Sequence, residues 1–454
     1  MKKISRKIGR YTIIGKLGKG GMGSVYKASS PVTEKTVALK ILDPFEILMD
    51  TVGEKELTRI FTTEAILMAQ LHNPYIAEVW DFDYDQKGRP FFTMEYYCNN
   101  LGSAIGEHYE TDQKSRLVAP EKVIQYGSQI LLGLSCLHSA GIIHRDIKPY
   151  NIMISDLDVV KICDFGLSKT RGETFSGVSS GMRIGSPHYA APEQVHEPES
   201  ADERSDLYSV GVLLYRMLTG ELPSMKNISL SMVNPLYDAK WDDFFGKSLG
   251  LSKESRFASA SKMLYALKHL SIHWENVKDR QCALTPPEEP GGQDQRIFLR
   301  DAPTRKAGEH ARSCFRVNQM DRPIRYIENN FQPRDHFTVN DEATGLIWQI
   351  GGSENPVDRQ GADRYIDRLN FRKYAGIGTW RLPTVNELIS LFDHTENMER
   401  YCRPAVFNPI QARLWSCDWR SDTTAWYVNM ELDFVGWQDA SCFYYVRGVS
   451  TAGR

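Results

Sequence analysis

The sequence predicts an α+β protein made of two folded parts. In the N-terminal part, apolar strand-like runs such as residues 11–17 and 36–41 alternate with longer segments whose apolar residues recur at helical spacing. In the C-terminal part, six of the nine tryptophans lie between Trp348 and Trp437, separated by many turn residues. A chain of 454 residues has room for about two to three domains, and the second pattern indicates a small, aromatic-cored one.

A glycine-rich turn follows the first predicted strand. Gly18, Gly20 and Gly23 permit a tight backbone turn whose N–H groups can approach phosphate oxygens closely. A dinucleotide-binding turn has the same glycine spacing, but that turn opens a helix. Here the glycines lead into a second strand-like run at residues 25–28, which favours a hairpin that covers a nucleotide.

The next predicted strand, residues 36–41, carries Lys40 within an otherwise apolar run. On its own, such a lysine is typical of a solvated position at the edge of a sheet. Because this strand directly follows the glycine hairpin, we expect Lys40 to bind the α- and β-phosphates of a nucleotide.

A short run at residues 144–151 contains Asp146 and Asn151, and Asp164 follows at loop distance within the run 164–166. The first aspartate can accept a proton, and the other two side chains can bind Mg²⁺. Their spacing is the one that phosphoryl transfer from ATP uses. The sequence therefore predicts a phosphoryl-transfer site.

Residues from about 10 to 270 resemble the bacterial, eukaryotic-like Ser/Thr protein kinases. The resemblance implies a two-lobed protein kinase fold that uses ATP and Mg²⁺ to phosphorylate protein substrates. In that family the strand lysine pairs with a glutamate on the first large helix. We expect this partner to be Glu64, since residues 65, 68 and 71 form an apolar helical stripe around it, and Glu56 is the alternative.

The resemblance also assigns the tasks within the site. Asp146 is expected to orient the attacking hydroxyl and take its proton, and Lys148 to balance charge on the transferred phosphoryl group. Lys40 and Glu64 complete the catalytic set. The pair Lys148-Pro149 resembles Ser/Thr kinases rather than tyrosine kinases. The metal ligands are expected to be Asn151 and Asp164, and the nucleotide-binding residues Leu17, Gly18, Gly20, Gly23, Val25, Ala38, Lys40, Glu95 and Tyr97.

Regulation by phosphorylation is implied by Arg145, which directly precedes the catalytic aspartate. In the family, such an arginine accompanies a loop that a phosphate group orders through charge-assisted hydrogen bonds. The corresponding segment, residues 168–184, contains three glycines, and a loop ordered without phosphorylation is the alternative. The candidate sites of autophosphorylation are Thr170, Thr174, Ser176, Ser179 and Ser180.

Two supporting interactions are expected in the helical lobe. Glu193 would pair with Arg256, and Asp206 would brace the catalytic loop from below. The alternative to an enzyme is a pseudokinase that serves as a nucleotide-binding scaffold. The residues whose loss marks a pseudokinase are all present, namely Lys40, Asp146 and Asp164.

Charge, hydropathy and cysteine usage exclude several other classes of protein. A net charge of −2 argues against a dedicated nucleic-acid binder. No apolar run approaches the length of a membrane span, and no apolar core follows the basic N-terminus as in a signal peptide. The eight cysteines show no C-x-x-C pair and no zinc spacing. We therefore predict a cytoplasmic protein with reduced thiols.

Residues 271–324 are expected to form a linker. Residues 285–292 are rich in proline and glycine, and residues 296–325 hold eight basic and three acidic residues with little apolar periodicity. A solvated segment is the simplest interpretation. Contact with RNA, an anionic membrane or an acidic partner is the alternative.

Residues 325–454 contain two motifs, residues 344–348 and 380–384, that resemble a bacterial domain of unknown function with a C-type-lectin-like fold. The resemblance implies a recognition module for an unknown ligand or protein, in some relatives a deliberately diversified one. Residues 415–445, rich in Trp, Tyr, Asn, Asp and Ser, would form a contact surface, although the same aromatic residues suit a core. Catalysis is not expected, since Cys402, Cys417 and Cys442 lack the arrangement of a reactive pair.

Overall fold

A computed structural model describes residues 6–107, 113–164, 169–170, 188–224, 229–284, 296–392, 406–408 and 410–451. The chain divides into two compact units, Met1–Ser271 and Ile272–Arg454.

The N-terminal unit opens with a six-stranded antiparallel sheet in the order β1-β2-β3-β4-β6-β5. Its core is a cluster of alternate side chains that includes Tyr26, Leu39 and Phe91, all buried. Two helices follow the fourth strand, and Phe61 of the second packs against the ring of Phe92 with 5.2 Å between centroids. The elements are β1 Lys7–Ile8, β2 Tyr11–Lys19, β3 Gly23–Ser29, β4 Thr36–Leu42, α1 Glu46–Val52, α2 Glu54–Gln70, β5 Val79–Tyr84 and β6 Pro90–Glu95.

The rest of this unit is mainly helical, with short β-ladders between the helices. The helix Pro120–Ser139 begins at a proline and ends before Gly141, whose φ is +76°. The helix Glu203–Thr219 is buried on nearly all faces and forms the centre of the lobe. The elements are β7 Asn99–Asn100, α3 Leu101–Ile105, α4 Pro120–Ser139, β8 Ile142–Ile143, β9 Ile152–Ile154, β10 Val160–Ile162, β11 Lys169–Thr170, α5 Pro192–His196, α6 Glu203–Thr219, α7 Leu230–Val233, α8 Ala239–Ser248 and α9 Ala260–Leu284.

The C-terminal unit contains two antiparallel sheets, in the orders β12-β13-β14-β18 and β15-β16-β17. Trp348 and Trp415, one from each sheet, are fully buried, which confirms an aromatic core. A capping box is present at the start of the helix Val385–Ile389: Thr384 Oγ1 accepts from the Glu387 N–H, and Glu387 accepts from the Thr384 N–H at 2.8 Å. The elements are α10 Gly308–Phe315, β12 Phe331–Pro333, β13 Thr338–Asp341, β14 Leu346–Gln349, α11 Arg359–Phe371, α12 Val385–Ile389, β15 Arg413–Trp419, β16 Thr424–Asn429, β17 Phe434–Asp439 and β18 Val449–Thr451.

Residues 296–324 differ from the solvated linker expected over residues 271–324. The guanidinium of Arg300 forms a two-pronged ion pair with the buried carboxylate of Asp418, at 2.8 and 2.7 Å. Phe315 of α10 is buried in the core of the unit, with its ring 5.1 Å from that of Trp426. The N-terminal end of the expected linker is also structured, because α9 continues to Leu284. The segment packs against distant residues, so its local sequence shows no amphipathic period.

Two further features bear on the sequence predictions. Among the described cysteines, Cys136, Cys163, Cys314 and Cys417 are free. Cys98 and Cys442 each take part in a disulfide bond, so the expectation of reduced thiols is wrong for these two. None of the described helices combines the length and the apolar character that crossing a bilayer would require.

The ion pair of Arg300 provides a test of whether residues 296–324 belong to the folded C-terminal unit. Asp418 is also bonded by the N–H groups of Thr304 and Val385, at 2.7 and 2.8 Å, so it is a shared anchor for the segment and for α12. Arg300→Gln should lower the free energy of unfolding of the C-terminal unit by about 3 kcal/mol, because it leaves a buried carboxylate without its cation. Urea unfolding followed by tryptophan fluorescence would measure the change.

The matched control is Arg305→Gln, which removes an arginine from the same segment. Arg305 pairs with Asp422, and both side chains are mostly exposed. We expect no measurable loss from this variant. Equal losses from the two variants, or none from either, would restore the linker interpretation.

Candidate active site

The centre of the site is an ammonium group between two carboxylates. Lys40 Nζ in β4 lies 2.8 Å from Glu64 Oε1 in α2 and 2.8 Å from Asp164 Oδ1 after β10. The predicted pairing with Glu64 is therefore confirmed. The alternative, Glu56, is instead bonded to Arg59 one turn further along the same helix.

The protonation states of these groups follow from their mutual contacts. Burial of the Lys40 ammonium opposes charge, but the carboxylates of Asp164 and Glu64 outweigh it and raise the pKa of the lysine. The same ammonium lowers the pKa of Asp164 to about 2. Lysine and aspartate are therefore both ionised throughout the neutral pH range.

Helix α2 presents its glutamate because of the spacing of its apolar residues. Phe61, Ala65 and Met68 are buried on one face, and Glu64 lies on that same face with its side chain 1% exposed. The helix begins directly after Gly53, whose φ of +84° separates α1 from α2. The orientation of the helix therefore fixes the position of the carboxylate.

Three polar side chains of the loop before β9 contact one another. Lys148 Nζ donates to Asp146 Oδ2 at 2.7 Å, and Asn151 Nδ2 donates to Asp146 O at 2.8 Å and to Asp146 Oδ2 at 3.0 Å. Asp146 itself is 8% exposed. Because Asn151 uses its amide nitrogen in these contacts, its amide oxygen is left for another partner.

A buried carboxylate holds this loop from below. Asp206 of α6 accepts the N–H groups of His144 at 2.9 Å and Arg145 at 2.8 Å, and His138 Nε2 lies 2.8 Å from it. Burial opposes ionisation of Asp206, but the hydrogen bond and charge of His138 outweigh it and lower the pKa of the carboxyl group. The predicted brace is confirmed. It stabilises the left-handed backbone of Arg145, whose φ is +66°.

The predicted pair of Glu193 and Arg256 is also present. Arg256 donates to both carboxylate oxygens of Glu193, at 2.7 and 2.8 Å, and Ser205 Oγ donates to Glu193 at 2.6 Å. The side chain of Arg256 is fully buried. The predicted pair is therefore a structural bond inside the helical lobe.

The glycine-rich turn forms a hairpin, as predicted. Strands β2 and β3 pair up to Lys19 opposite Ser24, and Gly20 N–H donates to Gly23 O at 2.8 Å. A Cβ atom on Gly23 would lie 2.4 Å from Ile41 O, so only glycine fits at this position. No helix follows the turn, which excludes the dinucleotide-binding alternative for this motif.

The strand pairing places the residues of the proposed nucleotide pocket on one face of the sheet. Val25 lies opposite Lys40, and Ala38, two residues before Lys40, lies opposite Met94. Strand β6 then ends at Glu95, where the chain leaves the sheet towards the helical lobe. These positions fit the nucleotide-binding residues expected at Glu95 and Tyr97, whose side chains are linked by a hydrogen bond of 2.9 Å.

Two oxygen ligands for a hard cation face the site. Among the described residues, nothing donates to Asp164 Oδ2 or to the amide oxygen of Asn151. Asp164 has a φ of +67°, and its side chain is 48% exposed. Mg²⁺ prefers one or two protein oxygens together with substrate phosphates, so these two residues fit that ion. The described residues contain no group of three His, Cys, Asp or Glu side chains able to hold a metal alone.

Sequence reasoning missed one residue, Asp43, which follows β4 and holds the glycine hairpin. Asp43 Oδ2 accepts from Ser24 Oγ at 2.8 Å and lies 3.4 Å from Lys19 Nζ. The hydrogen bond from Ser24 and the charge of Lys19 together lower the pKa of Asp43. A polar residue three positions after the strand lysine, opposite a serine in the hairpin, was the available signal.

The backbone beside Asp43 acts on the same hairpin. Asp43 N–H donates to Met22 O at 3.2 Å, and Phe45 N–H donates to Gly21 O at 3.0 Å. The C=O and N–H of one trans peptide unit point in opposite directions, so the N–H groups of Met22 and Gly23 are turned away from this segment. The segment therefore orients two peptide planes of the glycine hairpin.

The aromatic residues of the C-terminal unit separate into core and surface. Trp415, Trp426, Tyr427, Tyr444 and Tyr445 are buried, whereas Trp437 and Phe443 are each 46% exposed. The expected contact surface over residues 415–445 is thus mostly core. Burial raises the pKa of the Cys417 thiol to about 12, which leaves it unreactive.

Several predictions concern residues outside the described part of the chain. These residues are Phe165, Gly166, Thr174, Ser176, Ser179, Ser180 and Cys402. Thr170 is described only by its backbone.

Comparison with known families agrees with this geometry. The protein kinase domain model matches residues 11–278, more than half of the chain, and the chain belongs to the protein kinase family. Residues 337–450 match the Lcl C-terminal domain model.

Among individual proteins, the chain is 36% identical over 222 residues to the Serine/threonine-protein kinase pkn3 of Myxococcus xanthus, a match over 47% of this chain and 38% of that protein. It is 35% identical over 230 residues to the Serine/threonine-protein kinase PknL of Mycobacterium tuberculosis, over 51% of this chain and 54% of that protein. The chain thus spans about half or less of the length of these relatives. A crystal structure of the Mycobacterium tuberculosis PknI kinase domain matches 59% of the chain, with 24% identity and a TM-score of 0.45.

The contacts of Asp43 predict a defect in nucleotide binding. Asp43→Ala removes the acceptor for Ser24 and the counter-ion for Lys19, so the glycine hairpin loses about 1 kcal/mol of stabilising interaction. We expect the KM for ATP to rise roughly 5-fold while kcat changes much less, measured by steady-state kinetics at varied ATP. Asp43→Asn, which keeps an acceptor but loses the charge, should give an intermediate KM.

The matched control is Asp81→Ala, since Asp81 accepts from Arg10 and Tyr11 at the opposite end of β2. Its KM for ATP should stay at the wild-type value. A rise in KM with Asp81→Ala, or a fall in kcat alone with Asp43→Ala, would contradict the assigned role.

Proposed function

We propose that this protein is a Ser/Thr protein kinase that transfers the γ-phosphate of ATP to hydroxyl groups of proteins. One observation carries the proposal: Lys40, Glu64 and Asp164 form one set of contacts, Asp146 and Asn151 form another, and the N–H of Cys163, next to Asp164, joins the two by donating to Asn151 O at 3.0 Å. Kinase chemistry needs positioning and charge neutralisation, and these side chains supply both.

Each side chain has a separate task in the proposal. Asp146 Oδ atoms orient the substrate hydroxyl in line with phosphorus and take its proton. Lys148, 2.7 Å from that carboxylate, neutralises charge on the transferred phosphoryl group. Lys40 contacts the α- and β-phosphates, and Glu64 keeps the ammonium in place.

Two residues would hold magnesium. Asn151 offers its amide oxygen and Asp164 its outer carboxylate oxygen, and the ion, when bound, neutralises phosphate charge. Asp164 stays anionic because the pKa of its carboxyl group is lowered by Lys40. The pH dependence of metal binding near neutrality should therefore not come from Asp164.

The remaining pocket residues bind the nucleotide base and the phosphate chain. Val25 and Ala38 share a face of the sheet with Lys40, and together with Leu17 they offer apolar contact to adenine. The backbone of Glu95 and Tyr97 would bond the edge of the base. Backbone N–H groups of the hairpin at Gly18, Gly20 and Gly23 would approach the phosphates.

The wider biology belongs to the same proposal. Protein serine and threonine hydroxyls, including those of residues 168–186, are the expected acceptors. The C-terminal unit would be a recognition module with a C-type-lectin-like fold, supported by its two small antiparallel sheets and buried tryptophans. ATP supply favours a cytoplasmic location, whereas the disulfides of Cys98 and Cys442 oppose it, and cell fractionation decides between the two.

Transfer of labelled phosphate from ATP·Mg²⁺ tests the enzyme directly. Wild-type protein should label itself and a generic protein substrate on serine or threonine, and Asp146→Asn should reduce the rate by roughly 10²–10⁴-fold, since the proton acceptor and orienting group is lost. Phosphopeptide mass spectrometry would locate the modified residues.

Asp81→Asn is the control for a general effect of removing a carboxylate from this unit, and it should label normally. Wild-type protein that binds ATP but transfers no phosphate would support the scaffold alternative instead. Equal labelling of wild type and Asp146→Asn would remove the assigned role of Asp146.

A further inference from the structure

A groove of about 820 Å³ lies in the C-terminal unit, within the segment that the sequence predicted to be a linker. We call it the arginine groove, after the four arginines that line it. Its walls come from residues 296–300, the end of α10, residues 323–327 and α12. The arginines are Arg296, Arg300, Arg316 and Arg325.

The described lining of the groove is positively charged. Among the described residues, no aspartate or glutamate lines it. Arg300 is neutralised by the buried Asp418, but Arg296, Arg316 and Arg325 are exposed and form no ion pair with any described residue. Three unpaired guanidinium groups around one concavity create a local positive potential that favours an anionic ligand.

Apolar side chains accompany the arginines. Phe298 is 85% exposed and Ile324 is 71% exposed, while Leu299 and Phe315 form a more buried part of the lining. Exposed large apolar side chains beside a concave surface are typical of binding sites. A matching ligand therefore has both negative charge and an apolar group.

The walls are held in place before any ligand binds. Ile297 N–H donates to Ala343 O at 2.8 Å, and Ile324 N–H donates to Arg316 O at 2.9 Å. Arg300 also donates to Asn386 Oδ1 at 3.0 Å, which ties the first wall to α12. A preformed site loses little conformational entropy on binding, so a short ligand suffices.

We propose that the arginine groove binds a peptide that carries a phosphorylated serine or threonine next to an apolar residue. Planar guanidinium groups match phosphate oxygens in two-pronged contacts, and a phosphorylated side chain brings close to two negative charges. The proposal rests on the proposed kinase function, which makes such groups. A recessed groove suits a peptide better than a membrane surface, which needs a protruding face.

Such a groove would retain a phosphorylated product on the enzyme. Retention raises the local concentration of further hydroxyl groups from the same partner protein. Partners that already carry one phosphate would then be modified at additional sites in preference to unmodified partners.

Fluorescence anisotropy with the whole 454-residue chain carrying Asp146→Asn tests the groove without turnover. The probe is a short labelled peptide with one phosphoserine between leucines, compared with the same peptide carrying serine. We expect the phosphopeptide to bind at least about 10-fold more tightly, the equivalent of one strong charge-assisted contact. The combined variant Arg316→Gln and Arg325→Gln should remove most of this difference.

Arg334→Gln is the matched control, since Arg334 is an exposed arginine of the same unit outside the groove. It should bind the phosphopeptide like the parent protein. Thermal unfolding would show that all variants remain folded, and the single variant Arg325→Gln serves if the combined one does not.

Three outcomes would overturn the proposal: equal affinity for the two peptides, no effect of the groove variants, or an equal effect of Arg334→Gln. Vesicles containing phosphatidylserine form a separate arm. Binding to vesicles, lost in the groove variants while phosphopeptide binding is absent, would assign the groove to membranes instead. Because the peptide is synthetic and the protein inactive, failure here is independent of failure in the phosphate-transfer assay.

Discussion

The site depends on one buried cation shared by two carboxylates. Lys40 comes from the sheet, Glu64 from α2 and Asp164 from the loop after β10, so a single ammonium group links three parts of the unit. Burying a charge without a partner costs several kcal/mol, which makes the three positions mutually dependent. A change in the orientation of α2 would therefore affect Asp164, the proposed metal ligand, although the two are far apart in the sequence.

A second buried charge performs the corresponding task in the helical lobe. Asp206 accepts the N–H groups of His144 and Arg145, so it fixes the backbone next to Asp146. The two charged groups differ in accessibility, since Lys40 is 8% exposed beside the proposed nucleotide pocket, whereas Asp206 is 1% exposed.

The part of the site that local sequence could predict is the part built from fixed spacings. The spacing of the hairpin glycines is local, whereas the Lys40–Glu64 pair and the braces Asp206 and Glu193, whose predicted partners lie up to 63 residues away, follow from the family resemblance of their motifs. Contacts between distant residues that belong to no such motif escaped, as with Arg300 and Asp418, which are 118 residues apart. Burial of aromatic residues could not be resolved either: Trp426 and Trp437 lie opposite each other on β16 and β17, yet Trp426 is buried and Trp437 is 46% exposed.

The closing strand of the C-terminal unit has a consequence for biosynthesis. Strand β18 pairs with β14, whose residues emerge from the ribosome about one hundred residues earlier, whereas the N-terminal sheet pairs strands that are mostly neighbours in sequence. The first unit can therefore complete its sheet during translation, while β14 waits with an open edge until β18 is made. A ribosome that stalls within the last elements would release a folded N-terminal unit joined to an aggregation-prone, unpaired strand.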